Sequence, residues 1–232
     1  MVEYLVEYGP YIALLVFALI AYLTRMLDLT AILVAIFFGS IILYSAGADY
    51  LLILVLFLVI GSLFTRLKYD YKKSIGASEP HGGRRSINPV IANGIVPTFM
   101  AVLGNPYLLV GSLSAALADT MATEIGLLHK NPVLVTTGEV VEAGTRGAIS
   151  ILGEIAAILG ALIIALLSIL LTDGSDVHIM AIALISGLIG CNIDSLLGAS
   201  MEFLSKEEVN LLGTLSGAAI SAGIALSFAL PV

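Results

Sequence analysis

The sequence predicts an all-α polytopic membrane protein of about eight transmembrane helices, and three observations lead to this fold class. First, 59% of the 232 residues are hydrophobic and only 12% are charged, with a mean hydropathy of +1.07. Second, the apolar residues form long runs, each close to the roughly 20 residues that cross a hydrocarbon core of about 30 Å. Third, the basic residues fall between these runs in an alternating pattern. Together they predict a single integral membrane domain over residues 1–232.

Eight apolar runs are predicted to cross the membrane. The fourth is short, and Asn93, Gly94 and Pro97 predict that it is broken. A break of this kind usually faces a cavity, which makes Asn93 a candidate ligand-binding residue. In chain order the runs are Tyr8 to Met26, Leu29 to Ala48, Tyr50 to Leu67, Pro89 to Gly104, Pro106 to Leu128, Ala148 to Leu171, His178 to Met201 and Val209 to Leu230.

The ten basic residues predict the orientation. All of them fall in four alternate connections, whereas the other connections carry only acidic residues: Asp49, Asp173 and Asp176. Because cytoplasmic loops are enriched in Lys and Arg, these four connections are predicted to be cytoplasmic, which places both termini outside a cell membrane. The basic residues are Arg25, Arg66, Lys68, Lys72, Lys73, Arg84, Arg85, Lys130, Arg146 and Lys206.

The chain changes character after its third apolar run. Residues 1–67 are dense in Leu, Ile, Phe and Val and are predicted to form lipid-facing scaffold helices, while residues 75–215 are predicted to form a polar-lined catalytic core. Three unpaired carboxylates inside helices would together cost roughly 10 kcal/mol, so these acids must be paired, protonated or bound to cations. The polar residues within the later runs are Asn93, Asp119, Thr120, Thr123, Glu124, Glu154, Asn192, Asp194 and Ser195.

Asp119, Glu124 and Asp194 are predicted to lie in the cytoplasmic halves of their helices. Asp119 and Glu124 are five residues apart, about 140° around an ideal helix. Either the helix unwinds there, or the two acids serve different partners. Small residues flank both helices, from Gly111 to Gly126 and from Gly187 to Ala199, and they predict close backbone contact between the helices.

Two cytoplasmic connections are predicted to bind anions. In the first, Arg84, Arg85 and Ser86 precede an Asn88-Pro89 helix start, where free N–H groups and the helix dipole favour phosphate. In the second, Thr145 and Arg146 lie between two glycines just before the sixth run. That second connection, between the fifth and sixth spans, is also predicted to contain a short β-hairpin, with strands Leu134 to Thr137 and Glu139 to Glu142 about Gly138.

Several classes of function are disfavoured by composition. A net charge of −7 without a continuous basic face argues against nucleic-acid binding. The lone Cys191 forms no internal disulfide and gives little support to a thiolate metal site. No lysine follows a glycine, so a Walker A phosphate loop is absent, and Glu3 and Glu7 replace the basic segment of a cleavable signal peptide.

Five motifs in order resemble an integral membrane family whose best-understood branch is the phytyl-phosphate kinase of plant and cyanobacterial tocopherol synthesis. The likeness spans roughly residues 75 to 215, with departures at Met121, where the family commonly has an aromatic residue, and at Ala143, where it has proline. The motifs are Glu79 to Pro97 with its Gly-Gly-Arg-Arg-Ser and Ala-Asn-Gly-Ile-Val-Pro, Ala118-Asp-Thr-Met-Ala-Thr-Glu-Ile-Gly126, Leu134-Val-Thr-Thr, Gly144-Thr-Arg-Gly and Asp194-Ser-Leu-Leu-Gly-Ala199.

The resemblance implies transfer of a phosphoryl group from CTP, or another nucleoside triphosphate, to a prenyl monophosphate such as phytyl or geranylgeranyl phosphate. Such chemistry implies Mg²⁺, with Asp119, Glu124 and Asp194 as the catalytic and metal-binding residues. A homodimer is compatible with the sequence, and two alternatives stay open: a lipid-phosphate cytidylyltransferase and a secondary transporter with a buried acidic site. The predicted phosphate- and nucleotide-binding residues are Arg84, Arg85, Ser86, Asn93, Thr120, Thr123, Thr145, Arg146 and Ser195.

Overall fold

The computed structural model describes residues 2–172 and 176–230, and for residues 2–7, 80 and 81 it describes the backbone alone. Asp173 and Ser175 therefore lie outside the described residues, as do Met1, Pro231 and Val232 at the two termini. Within the described ranges the chain forms ten helices and one two-stranded sheet. In chain order they are α1 Val2–Leu23, α2 Leu29–Ala46, α3 Ala48–Arg66, α4 Tyr69–Ser74, α5 Pro80–Gly83, α6 Ile87–Val102, α7 Pro106–Gly126, β1 Val133–Leu134, β2 Ala148–Ile149, α8 Ile151–Leu171, α9 Val177–Ser200 and α10 Lys206–Ser227.

Eight of these helices coincide with the eight predicted apolar runs. In the described part of the chain, six are long and apolar enough to cross a membrane, namely α2, α3, α7, α8, α9 and α10. The segments Tyr8–Leu23 of α1 and Ile87–Val102, which is α6, are shorter apolar helices. The predicted fold class, a polytopic all-α membrane protein with a small sheet, is therefore confirmed.

The predicted break in the fourth run is wrong. Helix α6 is continuous from Ile87 to Val102, with Pro97 inside it. Pro97 has no N–H to donate to the carbonyl of Asn93. Polar side chains donate hydrogen bonds to two other carbonyls of the same helix. Asn93 Nδ2 donates to the Pro89 carbonyl at 3.1 Å, and Thr98 Oγ1 donates to the Gly94 carbonyl at 2.7 Å. The side chains thus accommodate the proline without unwinding the helix.

The predicted hairpin is in the right connection but its strand pairing is different. The turn at Gly138 forms, because the Gly138 N–H bonds the Leu134 carbonyl and an isolated bridge joins Val133 to Val140. The sheet itself pairs β1 with β2 in antiparallel register, Val133 with Ile149. The second strand is therefore the residues just before α8, which the sequence assigned to the sixth span.

Helix α7 is the centre of the bundle. It packs against α3, α6, α8, α9 and α10, and 72% of its most apolar window is buried, compared with 33% for α2. Small residues allow this packing: a Cβ placed on Gly190 would lie 2.7 Å from the Ala115 Cβ, and one on Gly160 would lie 2.9 Å from the Ala118 Cα. The predicted close contact between these helices is confirmed.

One end of the bundle collects the polar residues. The carboxyl ends of α7 and α9 meet the amino ends of α6, α8 and α10 there, together with the short helices α4 and α5. By connectivity, the ten basic residues also belong to this end, which we call the basic end. Helices α1 and α2 pack beside α6, away from the centre. The fold thus places the predicted polar core at one end of a membrane bundle.

Candidate functional site

A cavity of about 560 Å³ opens at the basic end. We call it the main cavity. Its walls come from α7, α8, α9 and α10, and its rim comes from residues 76–79, Ser86 to Pro89 and the segment 144–150. A volume of this size is in the range of small-molecule and cofactor sites.

Two carboxylates face each other in the main cavity. Asp119 comes from α7 and Asp194 from α9, both line the main cavity, and their carboxyl groups are close enough to interact electrostatically. Asp194 Oδ2 is buried and has no hydrogen-bond donor among the described residues. Gly213 of α10 makes room for it, since a Cβ there would lie 2.7 Å from that oxygen. Among the described residues, no cationic side chain forms an ion pair with either carboxylate.

The main cavity is acidic as a whole. Two cationic side chains line it, Arg146 and Lys206, and both are held by the protein: Arg146 Nη1 donates to the Leu204 carbonyl at 2.6 Å, and Lys206 Nζ contacts Glu79 Oε1 at 2.9 Å. A polyanionic ligand would therefore need to bring cations with it. The acids in the described lining are Glu79, Asp119, Glu154, Asp194 and Glu207.

Glu124 has a different environment from the aspartate pair. Its Oε2 forms an ion pair with Lys72 Nζ at 2.5 Å, and the lysine side chain is only 1% exposed. Lys72 Nζ also donates to the carbonyl of Phe64 at 2.8 Å, at the end of α3. The ion pair thus fastens the short helix α4 to both α3 and α7.

Arg85 lies beside this ion pair in a second, small cavity of about 40 Å³. Its Nη2 donates to Thr120 Oγ1 at 3.3 Å, and its guanidinium lies 5.8 Å from the centre of the Phe57 ring. Gly61 allows this approach, since a Cβ there would lie 2.9 Å from the guanidinium. Burial lowers the pKa of Arg85 below its ordinary value, because desolvation outweighs the raising effect of the nearby Glu124.

The predicted site residues divide between the two cavities. Asp119 and Thr123 line both. Arg84 lines neither. The main cavity also contains Ser86, Thr145, Arg146, Asp194 and Ser195, whereas the small cavity contains Arg85, Asn93, Thr120 and Glu124.

Asp119 lies between the other two predicted acids: it shares the main cavity with Asp194 and the small cavity with Glu124. Helix α7 stays continuous, so Asp119 and Glu124 point to different partners, which was one of the two possibilities that their spacing left open. Among the described residues, no three His, Cys, Asp or Glu side chains form a group that could hold a metal ion. A facing carboxylate pair still suits Mg²⁺, which is commonly bound through one or two carboxylates and the phosphates of its substrate.

Sequence reasoning missed four cavity residues and misassigned one lysine. Lys72 was counted only among the basic residues that predict the orientation, but it is buried; the signal was Glu124 itself, an acid within a helix that required a cationic partner. Glu79, Lys206, Glu207 and Asn210 line both cavities and come from connections or helix starts. Their side chains are brought in by the tertiary fold, for which the local sequence carries no periodic signal.

Comparison with known proteins identifies relatives of this chain among integral membrane proteins. The chain is 38% identical over 215 residues to an uncharacterized membrane protein of Methanocaldococcus jannaschii, covering 88% of each chain. It is 30% identical to an uncharacterized membrane protein of Synechocystis, covering 80% of this chain and 78% of the relative. Protein VTE6 of the Arabidopsis thaliana chloroplast is 27% identical, over 84% of this chain and 64% of its own length. No solved structure matches.

The family model described as integral membrane protein DUF92 matches residues 12–218. This range begins in α1, runs through both cavities and ends within α10. It covers most of the chain and therefore every predicted site residue. The chain belongs to the DUF92 family of integral membrane proteins.

Proposed function

We propose that this protein is a kinase that transfers the terminal phosphoryl group of CTP, or another nucleoside triphosphate, to a prenyl monophosphate lipid. An oxygen of the lipid phosphate attacks the γ-phosphorus, the bond from that phosphorus to the β–γ bridging oxygen breaks, and the products are a prenyl diphosphate and a nucleoside diphosphate. The observation that carries the proposal is the facing pair Asp119 and Asp194 in an acidic cavity at one end of a membrane bundle.

The donor set of the main cavity fits Mg²⁺. Asp119 and Asp194 offer carboxylate oxygens, and Asp194 Oδ2 has no donor among the described residues. When bound there, Mg²⁺ would supply charge neutralisation for the phosphates of the nucleotide. Without added cations, five carboxylates facing two cationic side chains would repel a nucleoside triphosphate. The acidic lining is therefore support for a metal-bound nucleotide.

The chain's own residues would orient the phosphates. Arg146 offers a planar guanidinium for two-pronged phosphate binding, and Thr145 beside it offers a hydroxyl. Ser86 and Ser195 lie on other parts of the wall, so the donors surround the space. Lys206 adds a point charge at the rim. No strong base is required, because a phosphate acceptor is already ionised near neutral pH.

A lipid acceptor is supported by the position of the site and by the family. The cavity lies where the helices end, so a phosphate can sit in it while a prenyl chain remains among the helices in lipid. A transporter site is expected near the middle of the bundle, whereas this cavity is at the basic end. Four of the five motifs that resemble the phytyl-phosphate kinase branch contribute residues to the cavity, among them Ser86, Asp119, Arg146 and Asp194.

The direct test is to incubate purified protein with CTP, Mg²⁺ and geranylgeranyl phosphate or phytyl phosphate, and to identify the products by mass. CDP together with a prenyl diphosphate is the expected result. Pyrophosphate together with a CDP-lipid would instead show the lipid-phosphate cytidylyltransferase reaction. Neither product with any of the four common nucleoside triphosphates would overturn the enzyme proposal and favour transport.

We also propose that the basic end faces the cytoplasm of a cell, with both termini outside. All ten Lys and Arg residues belong to this end, and cytoplasmic loops are enriched in them. In a Cys191→Ala background, a membrane-impermeant thiol reagent applied to intact cells should label Asp49→Cys and spare Ser74→Cys, since both native residues are exposed. Labelling of Ser74→Cys alone would reverse the orientation and remove the cytosolic nucleotide from the proposal.

A further inference from the structure

A polar residue interrupts the outer apolar surface of α9. Asn192 is exposed, and so are Ile185, Ile189 and Leu196, at 43%, 44% and 47%. These positions are spaced by three or four residues and therefore form one face of the helix. In a spanning helix such a face is in contact with lipid, where an amide without a polar partner is costly.

The partner of Asn192 is a residue of the main cavity. Asn192 Nδ2 donates to Glu154 Oε2 at 3.4 Å and to the Leu188 carbonyl at 3.0 Å. Glu154 is in the first turn of α8 and lines the main cavity. This hydrogen bond therefore connects the cavity wall to the outer surface of the protein, through the boundary between α8 and α9.

Close backbone contacts fix this boundary on both sides of the hydrogen bond. Deeper in the bundle, a Cβ on Gly187 of α9 would lie 2.8 Å from the Ala161 Cβ of α8. At the basic end, a Cβ on Gly147 would lie 2.3 Å from the Ala199 Cβ of α9. Between these two contacts, the polar pair of Glu154 and Asn192 lies outside a buried apolar cluster that includes Ala157, Ala161 and Cys191.

The neighbouring boundary between α9 and α10 is closed differently. A Cβ on Gly190 of α9 would lie 3.2 Å from the Gly213 carbonyl of α10. A Cβ on Gly213 would itself meet the Asp194 carboxyl. The backbones of α9 and α10 thus approach each other directly, whereas at the boundary between α8 and α9 a polar side-chain pair connects the cavity wall to the outer surface.

We propose that the tail of the lipid substrate leaves the main cavity between α8 and α9 and lies along the outer face of α9. Glu154 and Asn192 would be positioning residues that mark where the polar head ends and the apolar chain begins. From Asn192 the exposed face continues to Val177, 15 residues away or about 22 Å along the helix. This inference rests on the proposed lipid-phosphate substrate and specifies how a long apolar chain is held.

A binding experiment tests the path without turnover. The unmodified protein is mixed with a prenyl phosphate that carries a photoreactive diazirine in the middle of its chain, without nucleotide, irradiated and digested. We expect the label on peptides of α8 and α9, around Ile155, Ile158 and Ile189. Label on α1, α2, α6 or α10, or no specific label that unmodified prenyl phosphate displaces, would overturn the proposal. Label on α8 and α9 from a protein that forms no diphosphate would retain the path and reject the kinase.

A substitution experiment tests the same path through chain length. Asn192→Trp should narrow the passage and raise the KM for geranylgeranyl phosphate at least about tenfold. The KM for dimethylallyl phosphate, whose short chain fits within the cavity, should change less than about twofold. Leu33→Trp is the matched control, because Leu33 is also exposed on a spanning helix, α2, that does not border the cavity.

Two outcomes of the substitution experiment would contradict the lipid path. Equal increases in KM for the long and short phosphates would show that Asn192 acts on the phosphate head. An unchanged KM for both in a folded Asn192→Trp protein would show that the tail leaves elsewhere. If the tryptophan variant does not fold, Asn192→Leu supplies the second variant: it removes the amide at similar size and should also raise the KM selectively for the long chain.

Discussion

Asp119 and Glu124 lie on the same helix, five residues apart, and both line the small cavity, but the two carboxylates have different direct partners. Glu124 is paired with a buried lysine at 2.5 Å, next to an arginine in a cavity of about 40 Å³. Asp119 faces a second carboxylate in a cavity of about 560 Å³. Glu124 is neutralised by a lysine of the protein, and this ion pair stabilises the fold. Asp119 lies next to Asp194, another acid, and the space beside them can hold a cation from solution.

Cavity size separates the two regions further. A cavity needs about 10 to 15 Å³ of accessible volume to hold one water molecule, so the small cavity has space for only a few. Its polar residues are satisfied mainly by each other, as Arg85 is by Thr120. The volume of the main cavity, by contrast, is in the range of small-molecule and cofactor sites. The comparison therefore predicts that mutations near Asp119 change activity and mutations near Glu124 change stability.

The largest expected effect is on activity, at the aspartate pair. Asp119→Asn and Asp194→Asn should each lower the rate of diphosphate formation at least about 1,000-fold, equivalent to about 4 kcal/mol, because the amide keeps the shape and loses the charge that holds the metal. Neither variant should melt lower than the unmodified protein in the absence of Mg²⁺, since each removes repulsion between like charges. Activity is measured with purified protein across a magnesium titration, and stability by thermal melting.

Loss of magnesium-dependent stabilisation is the second measurement for these variants. A ligand that binds the folded state raises its stability by mass action, so Mg²⁺ should raise the melting temperature of the unmodified protein and not of either variant. Near-normal rates in both variants would mean that the pair is structural. A strong drop in melting temperature without Mg²⁺ would mean that the comparison with Glu124 is mistaken.

The next effect is on stability, at the buried ion pair. Lys72→Met leaves the Glu124 carboxylate without its cation, and Glu124→Gln leaves a buried ammonium; each should destabilise the protein by about 3 kcal/mol. The double variant Lys72→Met/Glu124→Gln should regain most of that loss, because no charge is then left alone. Thermal or denaturant unfolding of all four proteins gives the coupling free energy.

The sequence predicted the helices better than it predicted which side chains from different helices come together. Hydropathy and basic residues defined the helices to within a few residues, since a spanning helix must satisfy its backbone internally and be long enough to cross. The 140° separation of Asp119 and Glu124 allowed for two partners, but the partners come from different elements: Asp194 from α9 and Lys72 from α4. Long-range pairing of this kind depends on how helices pack, and no local pattern in either segment encodes it.

The same reason explains the errors near Pro97 and Gly138. A proline in a helix predicts a break, but the side chains of Asn93 and Thr98 bond nearby carbonyls and α6 stays whole. At Gly138 the turn residue was correctly interpreted, whereas the choice of strand partner for Val133 depended on where the chain before α8 returns. The sequence predicted the turn at Gly138, but it did not predict which distant segment pairs with the strand before that turn.

Effects of intermediate size are expected at the arginines. Like the two acids, Arg146 belongs to the main cavity and Arg85 to the small cavity. Arg146→Lys should lower kcat/KM about tenfold, equivalent to about 1.4 kcal/mol, with little change in melting temperature, because lysine keeps the charge and loses two-pronged phosphate binding. Arg85→Lys should lower the melting temperature as well, because it loses the contacts with Phe57 and Thr120. Arg84→Lys is the comparison variant, since Arg84 lines neither cavity. Equal small effects at all three positions would show that only the charge of this end matters.

The smallest expected effect tests whether the spacing of the aspartate pair is set by the fold. Gly213→Ala places a Cβ where Asp194 Oδ2 now lies, so the carboxylate must shift and the magnesium concentration for half-maximal rate should rise about three- to tenfold. Gly223→Ala is the matched control on the same helix, because its Cβ meets nothing within 4 Å. Both variants gain helix propensity, up to about 1 kcal/mol, so Gly223→Ala should be neutral or stabilising with an unchanged magnesium requirement. If Gly213→Ala behaves like Gly223→Ala in the magnesium titration, the position of the Asp194 carboxylate does not govern metal binding, and the metal must be held by other oxygens of the main cavity.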